Sequence, residues 1–236
     1  MIRPGTPPDR ELIRKLFGSV GRVHIPGFFA PETAARIYKA LSEETPWQLS
    51  LNSGDRHVDL SEDQLKLLPS AQQVLLVDGI NEGARRGFQY VFNNFPIHDL
   101  KQAGQHADHF LMRVLKYLNS AEFLQFAREA TGIAEIAYAD AQATLYRPGH
   151  FLTVHDDLVA GKKRLAAYVL NFTPQWRADW GGILQFIDND GHVAEGYTPT
   201  FNALNLLRVP QRHCVSYVTP AGSAGRYSIT GWLRAP

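Results

Sequence analysis

The sequence has one cysteine, Cys214, and no apolar run long enough to cross a bilayer. A lone cysteine forms no intramolecular disulfide, so the fold must be held by a core. With no basic-then-apolar leader, the expected compartment is the cytoplasm, without membrane attachment. Charge of one sign is also missing: 24 Lys and Arg stand against 23 Asp and Glu, a formal net charge of +1. The basic residues are dispersed, which argues against duplex nucleic acid and leaves a protein or a small molecule as the expected substrate. Apolar residues are abundant. At 44% hydrophobic over 236 residues the chain can bury a substantial core, and one cooperative domain spanning 1–236 is expected.

The first part, 1–132, reads as a helical support region with lead-in strands. Residues 1–8 are Pro-rich and predict a loose start, followed by a short helix over 9–17. A strand over 21–27 stops at Pro26-Gly27, and Pro31-Glu32 opens a helix to residue 44 with Ala35, Ile37 and Leu41 at helical spacing. Residues 45–59 lack a core pattern and predict a loop, a place to look for substrate selection. Ser61-Glu62-Asp63-Gln64 fits a capping box, and Pro69-Ser70 starts a helix to residue 86. Residues 88–92 alternate as a strand, for which Asn93-Asn94 reads as a turn rather than as amides serving a substrate groove. The apolar set Leu100, Phe110, Leu111, Val114 and Leu115 predicts one long helix over 98–118, and Ser120 caps another through 131. His106 and His109 lie in the first of these without a completing ligand set, and read as helix-face histidines.

Composition changes after Gly132. Short strands are expected over 136–146, 151–155, 164–172, 182–187, 192–197, 203–208, 213–218 and 226–233, with Asp188-Asn189-Asp190-Gly191 a hairpin signal. The class is therefore α+β with a mainly β core over 133–236: an antiparallel sandwich or barrel with N-terminal helices on one sheet.

The chemistry concentrates in the stretch from Tyr146 to Asp157. Phe151-Leu152-Thr153-Val154 follows the Pro148-Gly149 turn and reads as a strand, so alternation aims His155 and Asp157 the same way. An imidazole and a carboxylate, joined by a second imidazole from a separate strand, would make the facial triad that holds non-haem iron(II) with open positions. A later strand begins at His213, next to Cys214, which alternation aims to the other face as a buried structural thiol. In Arg226-Tyr227-Ser228-Ile229-Thr230-Gly231-Trp232, alternation puts Arg226, Ser228 and Thr230 on one face. An arginine facing a barrel interior needs a strong acceptor, which a dicarboxylate would supply.

His155-Asp156-Asp157, Lys162-Lys163-Arg164, Trp176, Trp180-Gly181-Gly182-Ile183-Leu184, His213 and the Arg226-to-Trp232 segment together resemble the prolyl 4-hydroxylase-like 2-oxoglutarate and iron(II)-dependent dioxygenases. Within that group the pattern is most similar to the branch that hydroxylates a prolyl residue of a ribosomal protein. The resemblance covers about the last hundred residues and implies a double-stranded β-helix, a jelly-roll or cupin-like fold with the helices on the major sheet. It implies His155, Asp157 and His213 as catalytic iron ligands, Arg226 as the partner of the distal 2-oxoglutarate carboxylate, and Tyr146 and Ser228 as further cosubstrate contacts. Asp156 should point away from the metal, and a cosubstrate-facing residue on the third strand falls on Val169 or Asn171. The implied cofactors are iron(II) and 2-oxoglutarate, with ascorbate as a reductant. The implied reaction uses dioxygen to hydroxylate an unactivated carbon, a prolyl residue of a protein, with release of succinate and carbon dioxide. Asp157 separates it from related halogenases, which lack this carboxylate. A single catalytic unit is expected, without the second barrel of the eukaryotic ribosomal branch. Two competing readings are a hydroxylase of a free amino acid or other metabolite, and a cupin-like module that binds a metal or carboxylate without turnover.

Glycines 181 and 182 read as a bend or close backbone approach at a strand start, and the three tryptophans Trp176, Trp180 and Trp232 as core or pocket wall. Lys162-Lys163-Arg164 reads equally as a solvated turn and as a receiver for an acidic or RNA-associated substrate.

Overall fold

Strand pairing dictates the architecture. The computed structural model describes residues 2–6, 9–54 and 56–236; Met1, Pro7 and Pro8 of the expected loose start, and Asp55 of the expected 45–59 loop, lie outside them. In chain order the first part forms α1 (Arg10–Val20), β1 (Arg22–Pro26), α2 (Pro31–Lys39), β2 (Gln48–Ser53), β3 (Arg56–Ser61), α3 (Glu62–Leu67) and α4 (Ser70–Arg86). Then come β4 (Tyr90–Phe95), α5 (Ile97–Gln102), α6 (Phe110–Leu118) and α7 (Ala121–Thr131). The rest is strand: β5 (Tyr138–Ala139), β6 (Gln142–Tyr146), β7 (Phe151–His155), β8 (Arg164–Asn171), β9 (Leu184–Ile187), β10 (Val193–Tyr197), β11 (Ala203–Arg208), β12 (His213–Val215) and β13 (Arg226–Arg234).

The hydrogen-bonded order is β1-β11-β8-β13-β6-β4-β7-β12-β9-β10, with β2 and β3 added beyond β4. The core strands from β6 onward therefore alternate between two groups, β6, β8, β11 and β13 on one side and β7, β9, β10 and β12 on the other. This is the double-stranded β-helix. Strand β4 links the groups, pairing with β6 through Asn93↔Leu145 and with β7 through Tyr90↔Leu152.

Period-two alternation divides the work of each strand. On β8, Ala166 and Leu170 join the main core with Leu204 and Ile229, while Ala167 and Val169 line a cavity. Ile13 and Phe17 of α1, Ile37 of α2, Val114 of α6 and Phe123 of α7 cover the first face. Each fully buried phenylalanine there contributes roughly 1.5–3 kcal/mol relative to exposure. That face welds helices to sheet, which frees the other face for chemistry.

Local signals set the helix ends. The Asp9 side chain accepts from the Leu12 N–H at the start of α1, and Gly21 ends it at φ 72°. The capping box of Ser61 and Gln64 forms as the pattern predicts. Several expectations are corrected. The 98–118 helix is two helices, α5 and α6, parted by a turn in which Gly104 and His106 take positive φ. The helix from Pro31 changes to a π-helical turn at Ala40–Glu44. Residues 45–59 hold most of a β2–β3 hairpin rather than a loop. Asn93-Asn94 is not a turn: both residues lie within β4, buried and paired to β6 and β2, because two neighbouring strands satisfy their backbone. The expected 136–146 strand is split at Asp140-Ala141. Among the described residues no helix is long and apolar enough to cross a membrane.

Candidate active site

β7 delivers His155 at its last residue, and β12 begins with His213 directly opposite in the antiparallel register. Asp157 follows His155 in a left-handed conformation, φ 65°, which L residues rarely adopt outside special sites. The turn swings its carboxylate back between the two rings. One ligand atom from each residue lies within 4.8 Å of the others, and His155 Nε2 and His213 Nε2 each stand 3.5 Å from an Asp157 oxygen.

Tautomers follow from the outer hydrogen bonds. His155 Nδ1 faces the Thr153 carbonyl at 2.9 Å and His213 Nδ1 the Gln211 carbonyl at 2.7 Å. A carbonyl only accepts, so each Nδ1 carries the proton and each Nε2 lone pair is left facing the common centre. Burial, with His155 beside it, pushes the His213 pKa down to about 4, which keeps the ring neutral and able to ligate. For Asp157 burial pulls upward, but the neighbouring His155 and His213 outweigh it and the net shift is downward. Two neutral imidazoles and one carboxylate on one side fit iron(II) with its remaining positions open.

Arg226, first residue of β13 and 2% exposed, sits across from Tyr146 on β6. Its guanidinium carbon lies 4.9 Å from the Tyr146 ring centre and Nη1 donates to Ser228 Oγ at 3.3 Å. Its Nε has no partner, and among the described residues Arg226 makes no ion pair. A buried cation without an acid is costly unless an anion arrives. Burial accordingly pulls its pKa down. Tyr146 is itself buried and stacked on Phe92 at 5.3 Å.

His155, Asp157, His213, Arg226 and Tyr146 all line one cavity of about 560 Å³. Ser228 does not reach it. Fully buried, it hydrogen-bonds Thr144 Oγ1 at 3.0 Å and steadies Arg226 from behind. Val169 lines the cavity and Asn171 does not. Asp156 spends its carboxylate on the Leu158 N–H at 3.0 Å, outside the triad. Cys214 is buried and turned toward Gln185 Oε1. His109 accepts from the Leu111 N–H at the start of α6, and neither it nor His106 belongs to a metal-competent group among the described residues.

The glycine pair has a steric cause. A Cβ on Gly181 would lie 1.9 Å from the Tyr217 carbonyl oxygen, and one on Gly182 3.1 Å from Arg226 Cδ. Trp176, donating to the Gly181 carbonyl at 2.8 Å, closes that side.

Several wall residues escaped the sequence reading. Arg164 separates from its basic neighbours: Lys162 and Lys163 are exposed, while Arg164 lines the cavity and donates to the Asp157 carbonyl at 3.1 Å. Phe88 covers His155 at 5.3 Å, and Tyr90 lines the wall with its hydroxyl on His57. Asn94, assigned to a turn above, faces the cavity. No spacing rule links these residues, because their partners lie on strands far apart in sequence.

Residues 141–234 match the family model described as the 2OG-Fe(II) oxygenase superfamily. Over 129 residues the chain is 29% identical to the prolyl 3-hydroxylase OGFOD1 of Mus musculus, a match covering 52% of this chain and 23% of that protein. The chain thus spans about a quarter of that relative. Among solved structures, a prolyl-4-hydroxylase of Pseudomonas putida superposes with a TM-score of 0.60 at 16% identity, covering 96% of this chain and 99% of that one. A prolyl hydroxylase of Trichoplax adhaerens, in complex with a hypoxia inducible factor oxygen degradation domain peptide fragment, gives a TM-score of 0.62 at 16% identity, over 96% and 89%. These likenesses show the fold.

Proposed function

We propose that this chain, whose residues 141–234 match the family model described as the 2OG-Fe(II) oxygenase superfamily, is an iron(II)- and 2-oxoglutarate-dependent dioxygenase that hydroxylates a prolyl residue of a polypeptide. The observation that carries the reading is the pairing, in one cavity, of the His155-Asp157-His213 cluster with a buried guanidinium that has no acid of its own. His155 Nε2, His213 Nε2 and the Asp157 carboxylate hold the metal, and Arg226 takes the distal carboxylate of 2-oxoglutarate. Bound iron(II) and 2-oxoglutarate supply the oxidation: dioxygen is consumed, succinate and carbon dioxide leave, and one oxygen atom enters a substrate C–H bond. The chain's own part is placement and exclusion of water. Tyr146, Phe92 and Val215 give the cosubstrate end apolar wall, with Trp176 packed behind them, which strengthens the Arg226 pairing.

A polypeptide substrate is supported by the mouth. Phe88, Leu158 and Val159 line the cavity yet are 51%, 64% and 45% exposed, an apolar rim suited to residues flanking a target. The peptide held by the Trichoplax enzyme on the same fold supports the same reading. The test is an anaerobic titration of metal-free protein with iron(II) and 2-oxoglutarate, followed in the visible for the charge-transfer band of a bidentate keto acid. The band should appear in the wild type and vanish in His155→Ala. Mass spectrometry on proline-containing peptides and on free amino acids then places the added oxygen; its appearance only on a metabolite would replace the prolyl assignment.

A further inference from the structure

Aromatic rings dominate the cavity wall on and beside β4, where Tyr90 and Asn94 are the polar side chains. The rings of Phe88, Tyr90, Phe92 and Tyr146 follow one another at 5.7, 5.3 and 5.3 Å from the mouth to Arg226. The Tyr90 hydroxyl is a polar interruption near the mouth, and it is held by His57 of the neighbouring β3, at the cavity edge. Its oxygen lies 2.5 Å from His57 Nδ1, and His57 Nε2 lies 2.9 Å from Asp59 Oδ2. Asp59 Oδ1 in turn takes the hydroxyl of Ser50, which is fully buried and faces Asp59 across the β2–β3 pair. Four side chains on three adjacent strands therefore form one hydrogen-bonded chain.

The direction of every bond in it follows from its acid end. A carboxylate only accepts, so Ser50 donates to Oδ1 and His57 Nε2–H to Oδ2. A neutral imidazole with its proton on Nε2 has a bare Nδ1, which must accept from the Tyr90 O–H. Burial, with Asp59 nearby, pushes the Tyr90 pKa up to about 12, so the phenol keeps the proton it donates. Its single hydrogen is thereby committed to His57, and only lone pairs remain for a ligand. Among the described residues His57 is half exposed and lies outside the hydrophobic clusters.

We propose that Tyr90 is a specificity-determining residue that accepts a hydrogen bond from a substrate N–H, with His57 and Asp59 as its positioning residues. The inference rests on the polypeptide-hydroxylase reading above and deepens it. A prolyl nitrogen within a chain has no hydrogen, so the donor is the peptide N–H of a residue flanking the target. Tyr90 thus reads backbone beside the proline rather than the proline itself, and excludes substrates that offer only an acceptor there.

Two measurements test it. Two-bond proton–nitrogen correlation spectra of labelled protein report the His57 tautomer without any substrate; the Nε2–H form with a bare Nδ1 is expected, and its loss in Asp59→Asn. The Nδ1–H form in the wild type would overturn the proposal, since Tyr90 would then donate into the cavity. The second uses a pool of acetyl-capped, amide-ended Xaa-Pro-Xaa tripeptides, read by succinate release, and N-methylated versions of its best member. Tyr90→Phe should raise the KM for the parent tripeptide roughly fivefold while preserving the iron and 2-oxoglutarate charge-transfer band. N-methylation of one flanking amide should cost the wild type a similar factor and cost Tyr90→Phe nothing, the coupling expected of direct partners. An unchanged KM, or penalties that simply multiply, overturns the role of Tyr90 alone. A wild-type protein with an intact band that turns over no tripeptide refutes the polypeptide reading instead.

Discussion

Arg164 grips the turn that presents Asp157. Its Nη1 donates to the Asp157 carbonyl at 3.1 Å and lies 3.8 Å from Oδ1, while its guanidinium carbon stacks 3.5 Å from the Trp232 ring centre. Asp157 occupies a left-handed backbone state that costs an L residue on the order of 1 kcal/mol or more and persists only when its surroundings hold it.

Removing that grip should loosen the proposed metal site. Arg164→Gln is expected to weaken cobalt(II) or manganese(II) binding by about tenfold, the usual scale for groups that orient ligands. Arg164→Lys should not restore it, since an ammonium cannot both stack and fork. Isothermal titration of the metal-free variants measures this, and a wild-type affinity in Arg164→Gln would remove the clamp from the account.

Arg226→Met should separate folding from function. Without cosubstrate the guanidinium is buried and unpaired, so its replacement by an apolar chain should stabilise the protein, by about 1 kcal/mol. In thermal unfolding the variant should melt above the wild type, yet gain nothing from added 2-oxoglutarate, which should raise the wild-type Tm by mass action. A cosubstrate-dependent shift surviving in the variant would reject the assigned pairing.

His150 predicts an acid weakness independent of the metal ligands. Burial pushes its pKa down to about 4, below the 6.5 of a free imidazole. Between those values the unfolded chain binds the extra proton, so this contribution is complete above the unfolded pKa and shrinks as pH falls toward the folded one. The loss from pH 7.5 to 5 should be about 2 kcal/mol. Urea unfolding of wild type and His150→Asn at both values isolates it: the variant should lose less by that amount, and equal losses would disprove the shift.

Two glycine-to-alanine changes should move stability in opposite directions. Gly18 lies inside α1 with free space around it, so alanine should add about 0.5–1 kcal/mol. Gly181 has φ 72° and would set its Cβ 1.9 Å from the Tyr217 carbonyl oxygen, so alanine there should cost at least about 2 kcal/mol. Chemical denaturation midpoints of the two variants check the signs.

The convergence of His155, Asp157 and His213 was legible in part because some of its information is local. Alternation along 151–155 aims His155, and His213 opens a separate strand opposite it, but Asp157 lies past the strand end and a left-handed turn, not alternation, brings its carboxylate to the pair. The buried arginine could be read from the alternation of Arg226, Ser228 and Thr230, although Ser228 proved to support Arg226 rather than to face the cavity. Local rules failed where tertiary pairing outbid them. Asn93-Asn94 carries a turn signal, yet strands on both sides offer its backbone full hydrogen bonding and it stays extended. The helix expected over 98–118 has apolar periodicity at both ends, but Gly104 and His106 break it.

What the sequence determined by itself is therefore the strand alternation of its second part, the cap residues of its helices, and the faces on which His155, His213 and Arg226 lie, since these depend on neighbours within a few residues. Only the tertiary structure decided that Arg164 grips Asp157, that His57 and Asp59 orient Tyr90, and that Val169 rather than Asn171 meets the cavity. The first two depend on the register between strands, where a shift of one residue would exchange the faces, and the last on how far along their shared face of β8 the cavity extends.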